Sequence, residues 1–363
     1  MAISNLLNMF VTFKNNHSVK LLYIILIGAV TVSCHYEKAT ALSASDNASS
    51  EKLIYQNPVF NHDFPDPNLV EGRDGFFYAY STQASWKKEN FGDQYIIPIL
   101  RTKNLVNWTV VGDALIKKPN WKSEGGIWAP DASYYKNTYF LYYSYSTWGD
   151  PNPGIGVATS KVPEGPFTDH GKLFLSKEIG VDNSIDPFFF EDKGKPYLIW
   201  GSFHGIYGIE LSEDGLHVKG TKFKIGGNAY EGSFIHKKNG YYYYFGSTGS
   251  CCEGEKSTYK VKVARSATFE GLYTDKEGKD LLENGGTLLL QKNPDQQGFI
   301  GPGHNGDIVT DKAGQTWMIY HAFDKKQPTR RVMLLDKITW KEGWPEMDKS
   351  QPSFKSHEGP VFR

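Results

Sequence analysis

Four short turns carry a carboxylate beside proline, glycine or an aromatic ring: Phe64-Pro65-Asp66-Pro67, Trp128-Ala129-Pro130-Asp131, Ser184-Ile185-Asp186-Pro187 and Ala229-Tyr230-Glu231-Gly232. A fifth, Gly301-Pro302-Gly303-His304-Asn305, carries a histidine instead. Asp66 and Asp186 each precede a proline, which disfavours right-handed helical backbone and leaves an extended or turn conformation, suited to a side chain projecting from a strand end. Taken singly, Asp-Pro is ordinary turn chemistry. Glu231 lies between Tyr230 and Gly232, where aromatic surroundings would raise its pKa and keep it protonated as a general acid; the plain alternative is an exposed turn glutamate. Three carboxylates and a histidine gathered in one place would perform acid–base chemistry.

What must gather them is a repeated element. After each turn and a variable gap comes an aromatic strand opened by a polar or glycine-containing turn: 76–80, 139–146, 196–201, 241–245 and 317–321. A long-period repeat made of strands rather than helices signals radial repetition, hence an all-β fold, a five-bladed β-propeller forming a single catalytic domain. Elsewhere the chain alternates short apolar runs, such as 155–158, 207–211, 261–264 and 332–335, with Gly, Asn, Asp and Lys turns, and contains no convincing amphipathic helix. Residues 53–363 leave about 62 residues for each of five units, room for four strands and a generous loop. The five turns would then converge on one axis.

The first 52 residues stand apart. Lys14 and Lys20 precede the apolar run 21–32, too short to span a bilayer as a helix, so 1–33 is expected to be a signal peptide. The run closes on Ser33-Cys34, which resembles the lipobox of bacterial lipoproteins; a lipidated Cys34 would start the mature chain and anchor it to a membrane at the cell envelope or surface, with periplasmic or secreted location as the alternative. Residues 34–52, rich in Ala, Ser and Asn, are expected to form a flexible tether. Cys251 and Cys252 are adjacent, and ordinary disulfides separate their Cα atoms by more than one peptide comfortably allows, so two reduced thiols are expected. Lys+Arg and Asp+Glu both number 40, leaving no basic surplus to track nucleic acid. Aromatic residues make up 15 % of the chain, enough to supply sugar-stacking faces besides packing the blades.

The five turns, in this order, resemble glycoside hydrolase family 43. Within it, Trp200-Gly201-Ser202-Phe203, Cys251-Cys252-Glu253-Gly254, Ser257-Thr258-Tyr259-Lys260 and Gly285-Gly286-Thr287-Leu288 look most like the endo-α-1,5-L-arabinanases. The resemblance implies an inverting hydrolase with Asp66 as general base, Glu231 as general acid and Asp186 as the carboxylate that orients Glu231 and holds its pKa up. It implies calcium near the propeller axis, bound through His304 and waters. Trp128, Asn183 and Phe203 become substrate contacts, with Trp86 and Trp148 in loops that could rim a cleft. Asp131 is expected to fix a turn or touch a distal sugar. The expected partner is plant cell-wall arabinan, including pectin side chains, acted on by a monomer. The alternatives are an exo-acting α-L-arabinofuranosidase, a β-xylosidase, or, more remotely, a non-catalytic carbohydrate-binding propeller.

Overall fold

A computed structural model describes residues 52–87, 91–294 and 297–362. The expected targeting segment 1–33 and all of the tether 34–52 except Lys52 lie outside the described residues, and the compact unit considered below runs over Glu51–Arg363. Five antiparallel sheets follow one another along the chain. Blade 1 comprises strands Asn68–Glu71, Phe77–Tyr80, Pro98–Thr102 and Thr109–Asp113, and blade 2 Gly126–Tyr135, Thr138–Ser146, Gly154–Ser160 and Thr168–Leu175. Blade 3 comprises Phe188–Asp192, Lys195–Trp200, Ile206–Leu211 and Val218–Gly226, and blade 4 Glu231–Lys238, Tyr241–Thr248, Lys260–Ser266 and Thr287–Leu290. Blade 5 pairs Phe299–Gly303 and Ile308–Thr310 with Thr316–Asp324, which continues to Gln327–Lys341 and Trp344–Glu346. The five-bladed propeller expected from the repeat is the fold. Among the described residues, helix is limited to single turns such as Ser176–Ile179.

The aromatic strands are the second members of blades 1 to 4, alternately placed so that their rings fill the spaces between sheets. Tyr78, Tyr80, Tyr142, Tyr143, Tyr244 and Trp200 are fully buried. Phe140 and Tyr142 of blade 2 lie parallel to Phe189 of blade 3 at 6.5 and 5.8 Å between centroids, a face-to-face inter-blade contact. Trp86 belongs to this structural set: it is fully buried, donates from Nε1 to the Asp63 carbonyl at 2.8 Å and packs on Phe60 and Tyr95, so it does not rim the cleft. The strand pair Ile54–Tyr55 with His357–Glu358 joins the two ends of the described chain.

What the repeat did not reveal is that each chemistry-bearing turn lies at an end of, or inside, its blade's first strand. Three of those strands lose register there, between Trp128 and Asp131, Glu231 and Phe234, and Ile300 and Gly303. Such bulges re-aim side chains out of the ladder. A polar clasp links four blades: Asn68 Nδ2 donates to Asp131 Oδ1 and Asp307 Oδ2 at 3.0 and 3.1 Å, while Asp131 Oδ2 accepts from the Phe189 N–H at 3.0 Å. Burial raises the Asp131 carboxyl to about 7. Asp131 therefore does the turn-fixing work and extends it between blades.

Candidate active site

Asp66, Asp186, Glu231 and His304 converge on one cleft of about 520 Å³, together with Trp128, Trp148, Asn183, Phe203, Cys251, Cys252 and Arg331. A larger cavity of about 880 Å³ lies where Tyr55, Asp311, Asp336 and the 346–361 segment meet, and none of the five turns reaches it. The cleft residues share an unusual backbone. Asp66, Ala129, Asn183, Asp186, Phe203 and His304 all have φ between 41° and 58°, a region that costs a non-glycine residue energy and persists only where the surroundings enforce it. Neither Asp66 nor Asp186 is extended. The following proline excludes the right-handed helical region, and the strand entry takes the left-handed one instead.

Asp66 is the most heavily engaged carboxylate. Its Oδ1 lies 3.3 Å from Arg331 Nη1 and 3.2 Å from His304 Nδ1, and its Oδ2 accepts from Thr82 Oγ1 at 2.6 Å. Thr82 is oriented by the Ala129 N–H, which donates to its Oγ1 at 2.7 Å. Burial alone would push the Asp66 carboxyl up, but Arg331 and then His304 outweigh it and hold the group well below the usual carboxylate range. His321, wholly buried, accepts the Asp66 backbone N–H on Nδ1 at 2.9 Å. Burial, reinforced by Arg331 and His304 against the pull of Asp66, keeps that imidazole neutral, so its 3.3 Å approach to Asp66 Oδ1 is a packing contact rather than an ion pair.

Glu231 and Asp186 are poised the opposite way. Burial raises the Glu231 pKa, opposed by a hydrogen bond from Ser202 Oγ to its Oε2 at 2.7 Å. Burial also raises Asp186, to about 7, with His304 opposing and the Glu231 and Asp66 charges adding. Asp186 Oδ2 accepts the Gly232 N–H at 3.1 Å, tying it to the residue after Glu231, and its own N–H donates to Ser144 Oγ at 2.9 Å. The two acids titrate as a pair that retains a proton towards neutrality. For His304, burial works against protonation, but Asp66, Asp186 and Glu231 raise its pKa to about 9. The cleft thus holds one committed carboxylate and one carboxyl pair that shares a proton, an arrangement able to take a proton at one end and give one at the other.

The expected sugar contacts occupy different positions in the wall. Trp128 lies 5.8 Å from Trp148 between ring centroids, and Trp148 is 78 % exposed, so the two make one aromatic surface running to the rim. Phe203 is 37 % exposed and faces the cleft. Asn183 lines the cleft, and its Nδ2 donates to Ser202 O and Oγ at 3.2 and 3.0 Å, which makes it also a support for the Ser202–Glu231 hydrogen bond. Thr82, Ser202, His321 and Arg331 escaped the sequence reading. Ser202 alone had a signal, in the Trp200-Gly201-Ser202-Phe203 motif; Arg331 and His321 lie in long regular strands with nothing local to mark them.

Two further observations bear on earlier expectations. Cys251 and Cys252 form a disulfide, contrary to the reduced thiols expected. The expectation took its spacing from bridges between distant residues, whereas here the loop turns back on itself through Ser250 and Ser257–Thr258 and brings neighbouring sulfurs together. As for a metal, no group of three or more His, Cys, Asp or Glu side chains among the described residues is arranged to hold one. Beside His304, the buried Oδ1 of Asn305 has no hydrogen-bond partner. One buried amide oxygen without a partner suits a cation held mainly by water, and it does not make a cage of protein ligands.

The sequence model for glycosyl hydrolases family 43 matches residues 55–345, nearly the whole propeller. The chain belongs to that family. As a family 43 member it is a glycoside hydrolase, and its relatives include arabinanases. It is 35 % identical over 261 residues to the extracellular endo-α-(1→5)-L-arabinanase 1 of Bacillus subtilis, covering 68 % of this chain and 78 % of that one. It is 30 % identical over 286 residues to the extracellular exo-α-(1→5)-L-arabinofuranosidase of Cellvibrio japonicus, covering 70 % and 81 %. Among solved structures, the α-L-arabinanase of Cellvibrio cellulosa complexed with arabinohexaose superposes with a TM-score of 0.69 at 28 % identity, covering 79 % of this chain and 96 % of that one.

Proposed function

We propose that this family 43 hydrolase is an arabinan endo-1,5-α-L-arabinosidase that inverts configuration at the bond it cuts. One observation carries the chemistry: in a single cleft Asp66 is held ionised by Arg331 and His304, while burial and mutual repulsion make the Glu231–Asp186 pair hold on to one proton. Asp66 is the general base that draws a proton from water as it attacks the anomeric carbon. Glu231 is the general acid that gives its proton to the departing glycosidic oxygen, and Asp186 orients Glu231 through the Gly232 N–H and sustains its proton by like charge. A non-catalytic sugar-binding propeller would have no use for this split in protonation.

The substrate reading rests on the similarity to arabinanases, and endo action is favoured by the Trp128–Trp148 surface, which extends sugar contact past the carboxylates to the open rim. The exo-acting relative keeps the exo reading in view. Product size over time on linear debranched arabinan, run beside nitrophenyl α-L-arabinofuranoside and β-xyloside, separates them. A spread of oligosaccharides early in the reaction supports endo cleavage, arabinose alone makes the enzyme an exo-arabinofuranosidase, and preference for the xyloside removes arabinan as substrate.

Three further expectations join the proposal. Calcium would sit beside His304 and Asn305 with waters completing its oxygen shell, supplying positive charge near the carboxylates. The protein is exported, as its extracellular relatives are, and held to a membrane through a lipid on Cys34. It meets its cell-wall polysaccharide as a monomer.

A further inference from the structure

The disulfide lies in an unexpected place. Cys251 and Cys252 sit in the blade 4 loop between strands Tyr241–Thr248 and Lys260–Ser266, and both line the cleft, Cys251 partly buried and Cys252 exposed. A bridge between adjacent residues closes no length of chain, so it removes almost no loop-closure entropy from the unfolded state. Nor does the loop depend on it for closure: Ser257 Oγ donates to the Ser250 carbonyl at 2.6 Å, the Ser250 N–H donates to Thr258 Oγ1 at 3.0 Å and the Thr258 N–H returns to the Ser250 carbonyl at 3.2 Å. Stability therefore gives little account of the bond.

Its neighbours give a better one. Arg331 Nη1, 3.3 Å from Asp66 Oδ1, also reaches Cys252 Sγ at 3.7 Å. The sulfur can be no farther from that carboxylate oxygen than those two distances laid end to end, a span comparable to one arabinofuranosyl unit with its substituents. A sugar whose anomeric carbon is approached by water from Asp66 must come close to the disulfide. The bonded pair offers such a ring a soft, polarisable, apolar face with no rotamers left to freeze on binding, whereas two free thiols would each retain rotation.

We propose that the Cys251–Cys252 disulfide is a substrate-binding surface, a preformed contact for the arabinofuranosyl unit at the point of cleavage. The inference rests on the arabinanase reading. Because the contact exists in ground state and transition state alike, its loss weakens binding without slowing the chemical step. The test uses the full chain carrying Cys34→Ser, so that only this pair reacts with reductant. The oxidised protein, the same protein reduced by a phosphine with reduction verified by mass, and the Cys251→Ser/Cys252→Ser variant are compared on a linear α-1,5-arabino-oligosaccharide. Expected is a rise in KM of about five- to tenfold on reduction, reproduced by the double variant, with kcat within about twofold. An unchanged KM after verified reduction overturns the proposal, as does a fall in kcat at constant KM or the finding of free thiols in protein isolated without reductant. Should the oxidised enzyme fail to cut the oligosaccharide at all, the arabinanase reading fails. Calorimetric titration of the same sugar into the oxidised and reduced forms then judges the contact by itself, equal affinity refuting it.

Discussion

Replacing Arg331 by alanine removes the strongest influence keeping Asp66 ionised. At the observed 3.3 Å from Nη1 to Oδ1, Coulomb attraction at an effective dielectric near 20 is about 5 kcal/mol. The guanidinium's own desolvation and the remaining help from His304 reduce the net effect, and opposite charges at this range commonly move a carboxyl by about 1–3 pKa units. The sign follows from the role. As the proposed general base, Asp66 would work only as the anion; with Arg331 present its pKa lies well below the ordinary value, and without it the pKa rises. The acidic limb of log kcat/KM against pH should therefore move upward by about 1–3 units in Arg331→Ala, leaving activity at neutral pH far less affected than activity at pH 4. Arg331→Lys, which keeps a charge but not the fork, should recover part of the shift. The assay is initial rate on debranched arabinan from pH 3 to 9, with far-ultraviolet circular dichroism confirming folding at each pH. A variant whose acidic limb coincides with that of the parent, or which loses activity uniformly at all pH values, would refute the claim that Arg331 acts through the charge on Asp66.

The other predictions concern the acid, its partner, the stereochemistry and the metal. Glu231→Ala should lose about 10²–10⁴-fold on arabinan while largely sparing an aryl arabinoside whose leaving group needs no proton, and equal losses on both substrates would deny Glu231 the acid role. Asp186→Asn removes a negative charge beside Glu231, so the basic limb of the pH profile should move to lower pH; a limb that stays in place or moves up contradicts the coupling. Proton NMR of the first product formed should show inverted configuration at the anomeric carbon, and retention would make Asp66 a nucleophile. Exhaustive chelation should lower activity and calcium should restore it, whereas full activity in protein shown metal-free by elemental analysis would leave His304 acting through Asp66 alone.

How much of this was legible in the residues depends on how local each feature is. Turn chemistry and aromatic alternation are short-range properties, and five similar units in one chain have few ways to bury their rings other than by stacking around an axis. The all-β architecture, the five turns and the meeting of Asp66, Asp186, Glu231 and His304 in one cleft could therefore be read directly. Relations between blades could not. Arg331 is 265 residues from Asp66 in sequence yet supplies its counter-charge, and His321 is 255 residues away yet receives its backbone N–H. The split between an ionised Asp66 and a Glu231–Asp186 pair that keeps a proton is decided by burial and by charges from other blades, quantities that exist only once the sheets have packed. Asn183 shows the same limit, since its type fits a sugar contact and only the approach of Ser202 adds its second partner. So do the cysteines: adjacency in sequence argues against a bond, and it is the folded loop that joins the sulfurs and sets Cys252 beside Arg331.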